Sequence, residues 1–164
     1  FPFFLFSFEN VCAKRSEQTL NAQAMHNFQM KTYRDGLTTT KPHFFMLSKG
    51  SNSGKPLETP CPNCFMITTA TMEERNFYFW LAYGLWQAQG FYPHLIGSAI
   101  SFLRIGDAKT VLLEAAEKAI KDRSKYLKSL ALLQDFDKKG KILENQVRLI
   151  KQIKKAIMFQ ILLE

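Results

Sequence analysis

The residues best suited to chemistry are Cys61 and Cys64, in the stretch PCPNCF. Two thiolates at this spacing on one tight turn can fill half of a tetrahedral zinc site. A complete site needs two more ligands, which His43 and His94 could supply, although their spacing follows no zinc signature. A redox pair would need its first cysteine at an exposed helix N-terminus, whereas these cysteines precede a predicted strand. The third interpretation, which we favour, is two reduced and partly buried cysteines in a turn, as expected in a reducing cytoplasm.

The glycine-rich stretch LSKGSNSGKP, residues 47–56, suggests a phosphate-binding loop at first sight. Such a P-loop has four residues between its glycines and a Ser or Thr after its lysine, because freed amides wrap the phosphates and the hydroxyl holds magnesium. Here three residues separate Gly50 from Gly54, and Pro56 follows Lys55. The sequence therefore excludes a nucleotide-binding P-loop. One interpretation is a surface turn in which both glycines supply positive backbone angles.

Catalytic residues do not assemble from the sequence. Glu73 and Glu74 are adjacent on a predicted helix and point apart, so helix capping explains them best. His94 lies near Ser98 and Ser101, but no carboxylate partner or oxyanion loop is evident. We predict a protein that is not an enzyme and that requires no cofactor.

The net charge of +8 over 164 residues indicates an acidic partner. Between Lys118 and Lys155 there are twelve Lys and Arg residues against four Asp and Glu residues, so this segment carries the whole net charge. It could form a solvated outer face, or it could follow a phosphate backbone or an acidic protein. The longest uncharged run falls short of the ~20 residues that span a bilayer, which predicts a cytoplasmic protein without a membrane partner.

Strand patterns and turn signals occupy the first half of the chain. Residues 27–34, 43–47 and 65–69 are predicted strands of a small antiparallel sheet, with a loop over 48–62. Thr71 and Glu74 form a capping box for a helix that stops near Gly90. Aromatic residues surround that helix, which predicts a buried helix. Trp80 and Trp86 are then core residues, or stacking platforms for bases if their rings are exposed.

Helical patterns dominate the second half of the chain. A short helix or turn is predicted over 95–103, and long amphipathic helices over 108–134 and from Ile142 onward. The polar segment 135–141 would be the turn that makes these helices a basic antiparallel hairpin. The predicted class is α+β, with domains at 25–106 and 107–164. Residues 1–24 are predicted to be an unstructured extension, because Met25 is the favoured start of the chain.

The order of these parts resembles the distal part of a target-recognition module from type I restriction-modification specificity subunits. The residues and motifs that carry the resemblance are LSKGSNSGKP, NCFMITT and LIGSAISFLRIGDAKTV, with Gly50, Gly54, Asn63, Phe65, Gly97, Ser98, Ala99, Ile100 and Ile105. The family's proline-rich stretch and Glu-Gln pair are missing after IGDAKTV. The chain also looks like small uncharacterised proteins of Bacteroidota mobile elements.

The resemblance implies a DNA-binding module that recognises double-stranded DNA. The loop would then offer Lys49 and Lys55 to phosphates, and Ser51, Asn52 and Ser53 to phosphates or base edges. In the basic hairpin, the residues predicted to add contacts with the DNA backbone are Lys121, Lys125 and Lys128. The alternative function is a structural or zinc-stabilised adapter that binds another protein through the hairpin. That alternative predicts bound metal or an apolar stripe left open around AIMFQILL, residues 156–163.

Overall fold

The structure is a computed structural model, which describes residues 28–163. The predicted extension over 1–24 lies outside the described residues. The chain divides into two compact units, with the boundary between Lys121 and Asp122. The first unit contains a sheet with two helices, and the second unit is a single long helix.

The core of the first unit is a small antiparallel sheet, as the sequence predicted, with four strands where three were predicted. Its strands are β1 (Gln29–Thr32), β2 (His43–Leu47), β3 (Pro56–Leu57) and β4 (Cys64–Thr68), in the order β1-β4-β2-β3. The strand β3 lies inside the segment 48–62 that was predicted to be loop. This prediction was wrong because Pro56 was read only as a breaker, whereas proline is tolerated in an edge strand.

One face of this sheet packs against helix α1 (Met72–Gln87). The strand register places Phe44 opposite Ile67, and Met46 opposite Phe65, so these four buried side chains share that face. The ring of Phe44 contacts the ring of Phe79 from α1 at a centroid distance of 5.6 Å. The predicted capping box is present: the amide of Glu74 donates to Oγ1 of Thr71 at 3.2 Å, and the Glu74 carboxylate accepts from the amide of Thr71.

The opposite face of the sheet carries a second, smaller core. Phe45, Cys64 and Met66 are buried there, and the partly buried side chains of Tyr33, Leu57 and Cys61 pack against them. The segment after β3 therefore packs against this face through Cys61. This placement supports the interpretation of the cysteine pair as part of the packing.

Burial of α1 is greatest on one face of the helix. Tyr78, Leu81 and Ala82 are buried, whereas Trp80 and Trp86 are half-buried. The two indoles belong to a ladder of ring contacts that runs through Tyr83, at centroid distances of 5.4 and 5.8 Å. The aromatic residues surround the helix as predicted, but a helix on one face of a sheet is fully covered only on the side that meets the sheet.

The segment after α1 differs from its prediction. A 3-10 turn over Tyr92–His94 leads into a two-stranded antiparallel hairpin, β5 (Leu95–Ile96) and β6 (Phe102–Leu103), where a short helix or turn was predicted. Periodicity cannot distinguish a strand from a helix in so short an apolar run. Helix α2 (Ile105–Lys121) follows and begins three residues before the predicted start at residue 108.

The second unit is the helix α3 (Arg123–Leu163). It continues through 135–141, so the predicted turn and the antiparallel hairpin built around it were wrong. A single glycine such as Gly140 costs a helix only about 1 kcal/mol relative to alanine. Ion pairs one turn apart within the segment offset part of this cost, with Nζ of Lys139 and Lys141 each 2.7 Å from a carboxylate oxygen, of Asp135 and Asp137 respectively. No helix among residues 28–163 combines the length and apolar character needed to cross a membrane.

Candidate nucleic-acid interface

Backbone hydrogen bonds close the loop between β2 and β3 into a compact turn. At its base, the amide of Leu47 donates to the carbonyl of Lys55 at 3.0 Å, and the amide of Gly54 donates to the carbonyl of Leu47 at 2.8 Å. Nearer the tip, the amide of Ser53 donates to the carbonyl of Gly50 at 3.1 Å. The loop therefore holds one defined backbone conformation.

Two neighbouring segments hold the loop in place. The amide and Oγ of Ser48 both donate to the carbonyl of Asn63, at 2.9 and 2.6 Å. On the other side, the amide of Gly50 donates to the carbonyl of Ser101, and the amide of Leu103 donates to the carbonyl of Ser48, each at 2.8 Å. The backbone around β6 of the hairpin therefore pairs with the start of the loop.

Both glycines of the loop have the positive φ angles that the sequence predicted. Gly50 has φ +86° and Gly54 has φ +91°. Gly54 meets a second constraint, because a Cβ atom at this position would lie 2.3 Å from Cδ2 of Phe91. The ring of Phe91 is fully buried, so the loop backbone packs directly on the core.

The loop residues predicted to contact DNA differ in their exposure to solvent. Lys49, Ser51 and Asn52 are exposed, Ser51 and Asn52 at the tip of the loop and Lys49 where the loop pairs with Phe102 of β6. Ser53 is buried, and its Oγ donates to the carbonyl of Gly50 at 2.7 Å, so its hydroxyl serves the turn. Lys55 is half-buried with its Nζ 5.0 Å from the ring centroid of Trp86, a cation–π contact.

Arg104 joins this surface although the sequence analysis did not select it. A depression of about 530 Å³ beside the loop has Ser48, Phe65 and Leu103 among its lining residues. Lys49 and Arg104 also line it, together with Asp107 from the first turn of α2. The signal that could have found Arg104 is the pair of apolar dipeptides on either side of GSAIS, which is typical of a hairpin.

The other predicted contacts lie on the helices. Lys121 is exposed in the last turn of α2, and Lys125 and Lys128 are exposed near the start of α3. The helix α3 carries ten Lys and Arg residues against three Asp and Glu residues, a net charge of +7. Most of the net charge of the chain, +7 of +8, therefore lies on this one helix.

The four candidate zinc ligands are not brought together. His43 pairs with Thr68 and Cys64 pairs with Leu47, so His43 and Cys64 lie four residue pairs apart in the sheet, roughly 13 Å at the usual strand rise. His94 lies exposed in the 3-10 turn after α1. Within residues 28–163, no three His, Cys, Asp or Glu side chains are grouped so that they could hold a metal ion.

The cysteine pair lies in the second core. Burial raises the pKa of the Cys64 thiol, with a smaller contribution from the neighbouring Cys61. A buried thiol with a raised pKa is a poor nucleophile, because the thiolate is the reactive form. Glu74 also has a structural role, since its Oε2 accepts hydrogen bonds from the amides of Ala70 and Thr71 at 2.9 and 3.2 Å.

Comparison with known proteins gives one match. Residues 30–160 match the model of a family of unknown function, DUF6943. The chain belongs to this family. No curated protein and no solved structure is significantly similar to it. The DUF6943 match includes the loop between β2 and β3 and all but the end of α3, so both basic surfaces lie within the extent of the family.

Proposed function

We propose that this DUF6943 protein is a non-enzymatic, cytoplasmic protein that binds double-stranded DNA through the loop over residues 48–55. One observation carries the proposal: Lys49, Ser51 and Asn52 are exposed on a hydrogen-bonded loop, and Lys49 and Arg104 line one adjacent depression. A loop that is already ordered loses little conformational entropy on binding.

Each side chain of this surface suits a different part of a DNA duplex. Lys49 and Arg104 carry positive charge to phosphate oxygens, which fixes position without reading sequence. The hydroxyl of Ser51 suits a phosphate, and the amide of Asn52 can pair with the edge of an adenine in the major groove. Lys55 contributes less in this proposal, because its ammonium group lies over Trp86.

The basic helix α3 adds sequence-independent attraction in this proposal. Its net charge of +7 would raise the local concentration of a polyanion and speed association. Lys121, Lys125 and Lys128 would contact the DNA backbone. We propose that the protein acts with a restriction or methylation partner, as the order of its motifs suggests.

Fluorescence anisotropy of the full chain with a labelled mixed-sequence duplex tests DNA binding, over a salt series. Each phosphate contact contributes about −0.9 to the slope of log K against log salt. Lys49→Glu combined with Arg104→Glu should therefore weaken binding and flatten the slope by about 2. Lys31→Glu is the matched control, because Lys31 is an exposed lysine of β1 that pairs with Met66 on the sheet face opposite α1. Absence of binding at low salt would refute the proposal.

A second candidate function, a protein-binding adapter, is favoured by the exposed apolar surface of α3. Seven side chains of this helix, which we call the α3 stripe, are each 50–67% exposed: Phe136, Leu143, Val147, Ile150, Ile153, Ile157 and Ile161. A row of seven exposed apolar side chains along one helix is typical of a binding surface. Ile150→Glu should abolish association with a protein partner, whereas the chain should still bind DNA. Loss of DNA binding without loss of the protein partner would refute this assignment.

A further inference from the structure

The α3 stripe repeats every seven residues. Phe136, Leu143, Ile150 and Ile157 follow one another at this interval. A second series also repeats every seven residues and lies three positions before the first. Its members are Leu133, Gly140, Val147, Lys154 and Ile161. Apolar residues in two such series are the a and d positions of a coiled coil.

The stripe requires a partner helix. The second unit is α3 alone, and one helix cannot bury its own apolar stripe. Helical stability in proteins comes mostly from packing of an apolar face, and an isolated helix in water is marginal. From Phe136 to Ile161 the stripe is about 38 Å long at 1.5 Å per residue, which matches a coiled coil of nearly four heptads.

We propose that the partner is the same helix of a second copy of this chain, and that the two α3 helices form a two-stranded coiled coil. This proposal names the partner for the adapter function and rests on it. A second copy provides a stripe of the same length in the same register. Fourteen stripe side chains, at roughly 80 Å² of apolar surface each, would remove about 1,100 Å² from water. That area approaches the ~1,200 Å² at which stable interfaces begin.

The charges beside the stripe pair with a second copy in either orientation. In a parallel pair, the g position of one helix faces the next e position of the other helix, which places Lys139 opposite Glu144 of the second copy. An antiparallel pair centred on the stripe would instead bring Lys151 beside Glu144 of the second copy. Lys139 is exposed, so it can reach the second helix although it also pairs with Asp135 in its own helix. Opposite charges therefore meet in both arrangements, which supports a second copy as the partner.

The interruptions in the stripe are compatible with a two-stranded structure. Lys154 occupies an a position, and a single lysine there lowers stability while it specifies register and the number of strands. Arg148 and Lys155 occupy b positions on the outer side of the pair, where they stay in water. Dimerisation therefore leaves the outer basic surface available to an anionic ligand and doubles it.

Sedimentation equilibrium of the full chain tests the proposal. The expected mass at micromolar concentration is twice the 18.9 kDa of one chain. Ile150→Glu should weaken the dimer at least a hundredfold, because it places a charge at a central d position. Leu149→Glu is the matched control, since Leu149 and Ile150 are both 52% exposed but Leu149 lies at an outer c position. Equal effects of the two substitutions would overturn the proposal.

A charge exchange tests the orientation. Glu144→Lys should weaken the dimer about tenfold. Adding Lys139→Glu to this variant should restore a parallel dimer, whereas adding Lys151→Glu should restore an antiparallel dimer. Failure of both double variants to restore the dimer would overturn the coiled-coil pairing. A monomeric wild-type chain would overturn self-association, whereas the adapter function would survive if a different protein bound in a manner that Ile150→Glu abolished. If the wild-type chain is monomeric and no other protein binds to the α3 stripe, both the dimer and the adapter function are refuted.

Discussion

Replacement of Gly54 by alanine tests the loop that carries the proposed DNA contacts. Two physical effects act on an alanine at this position. The backbone has φ +91°, a region that side chains other than glycine rarely adopt, and the new Cβ would lie 2.3 Å from Cδ2 and 2.8 Å from Cγ of Phe91. The Phe91 ring is 2% exposed, so it cannot turn away into solvent.

The expected loss of stability is the sum of these effects. A left-handed backbone conformation costs an L-residue about 1–2 kcal/mol. Alanine also lowers the conformational entropy of the unfolded chain, which offsets about 0.4–1 kcal/mol of this cost. Overpacking against Phe91 adds about 1–3 kcal/mol. We therefore expect Gly54→Ala to lower the free energy of unfolding by about 2–4 kcal/mol, and Gly50→Ala, at φ +86° with nothing within 4 Å of its Cβ, by about 1 kcal/mol.

Urea unfolding followed by tryptophan fluorescence measures this difference. Both tryptophans, Trp80 and Trp86, lie in α1, so the signal reports the first unit. The double variant Gly54→Ala with Phe91→Leu should cost less than the sum of its single variants, because the smaller side chain relieves the contact. Equal losses for Gly50→Ala and Gly54→Ala would refute the close packing of the loop on Phe91.

Three further predictions concern the first unit. Burial and the charge of Glu74 raise the pKa of Tyr78 to about 12, whereas an unfolded chain ionises tyrosine near 10. The urea midpoint should therefore fall as the pH rises from about 10 toward 12, and Tyr78→Phe should reduce this dependence. Thr71→Ala should lower the free energy of unfolding by about 1 kcal/mol through loss of the helix cap, and Thr71→Ser should retain most of it. In peptide mapping after alkylation of the native protein at neutral pH, Cys61 should react before Cys64, because Cys64 is fully buried with a raised pKa; faster reaction of Cys64 would contradict this packing.

The sequence was informative where one local signal had one structural meaning. The capping box at Thr71 and Glu74 fixed the start of α1, since the side-chain hydrogen bonds of a cap involve only neighbouring residues. Alternation in NFQMKTYR identified β1, because period two is the geometry of a strand. The short aromatic run HFFML, bounded by Pro42 and Gly50, identified β2. Gly50 and Gly54 indicated a turn with positive φ, which the loop has.

The sequence misled where two structures share one local pattern. The apolar pairs on either side of GSAIS fit either a helix or a hairpin. The hairpin is stabilised because β6 forms backbone hydrogen bonds with the distant loop at Ser48. In DFDKKGK, glycine and polar residues suggested a turn. The segment is helical in the structure, where ion pairs one turn apart accompany Gly140.

The candidate site depended on tertiary structure more than the fold did. The sequence by itself determined the residue types of the loop, the concentration of positive charge after Lys118 and the repeating apolar positions of α3, because these are properties of order along the chain. Only the tertiary structure decided that Ser53 turns inward, that Lys55 lies over Trp86 and that Arg104 joins Lys49 beside one depression. The physical reason is that exposure and proximity arise from contacts between residues distant in sequence, such as Gly54 with Phe91, which no local pattern records.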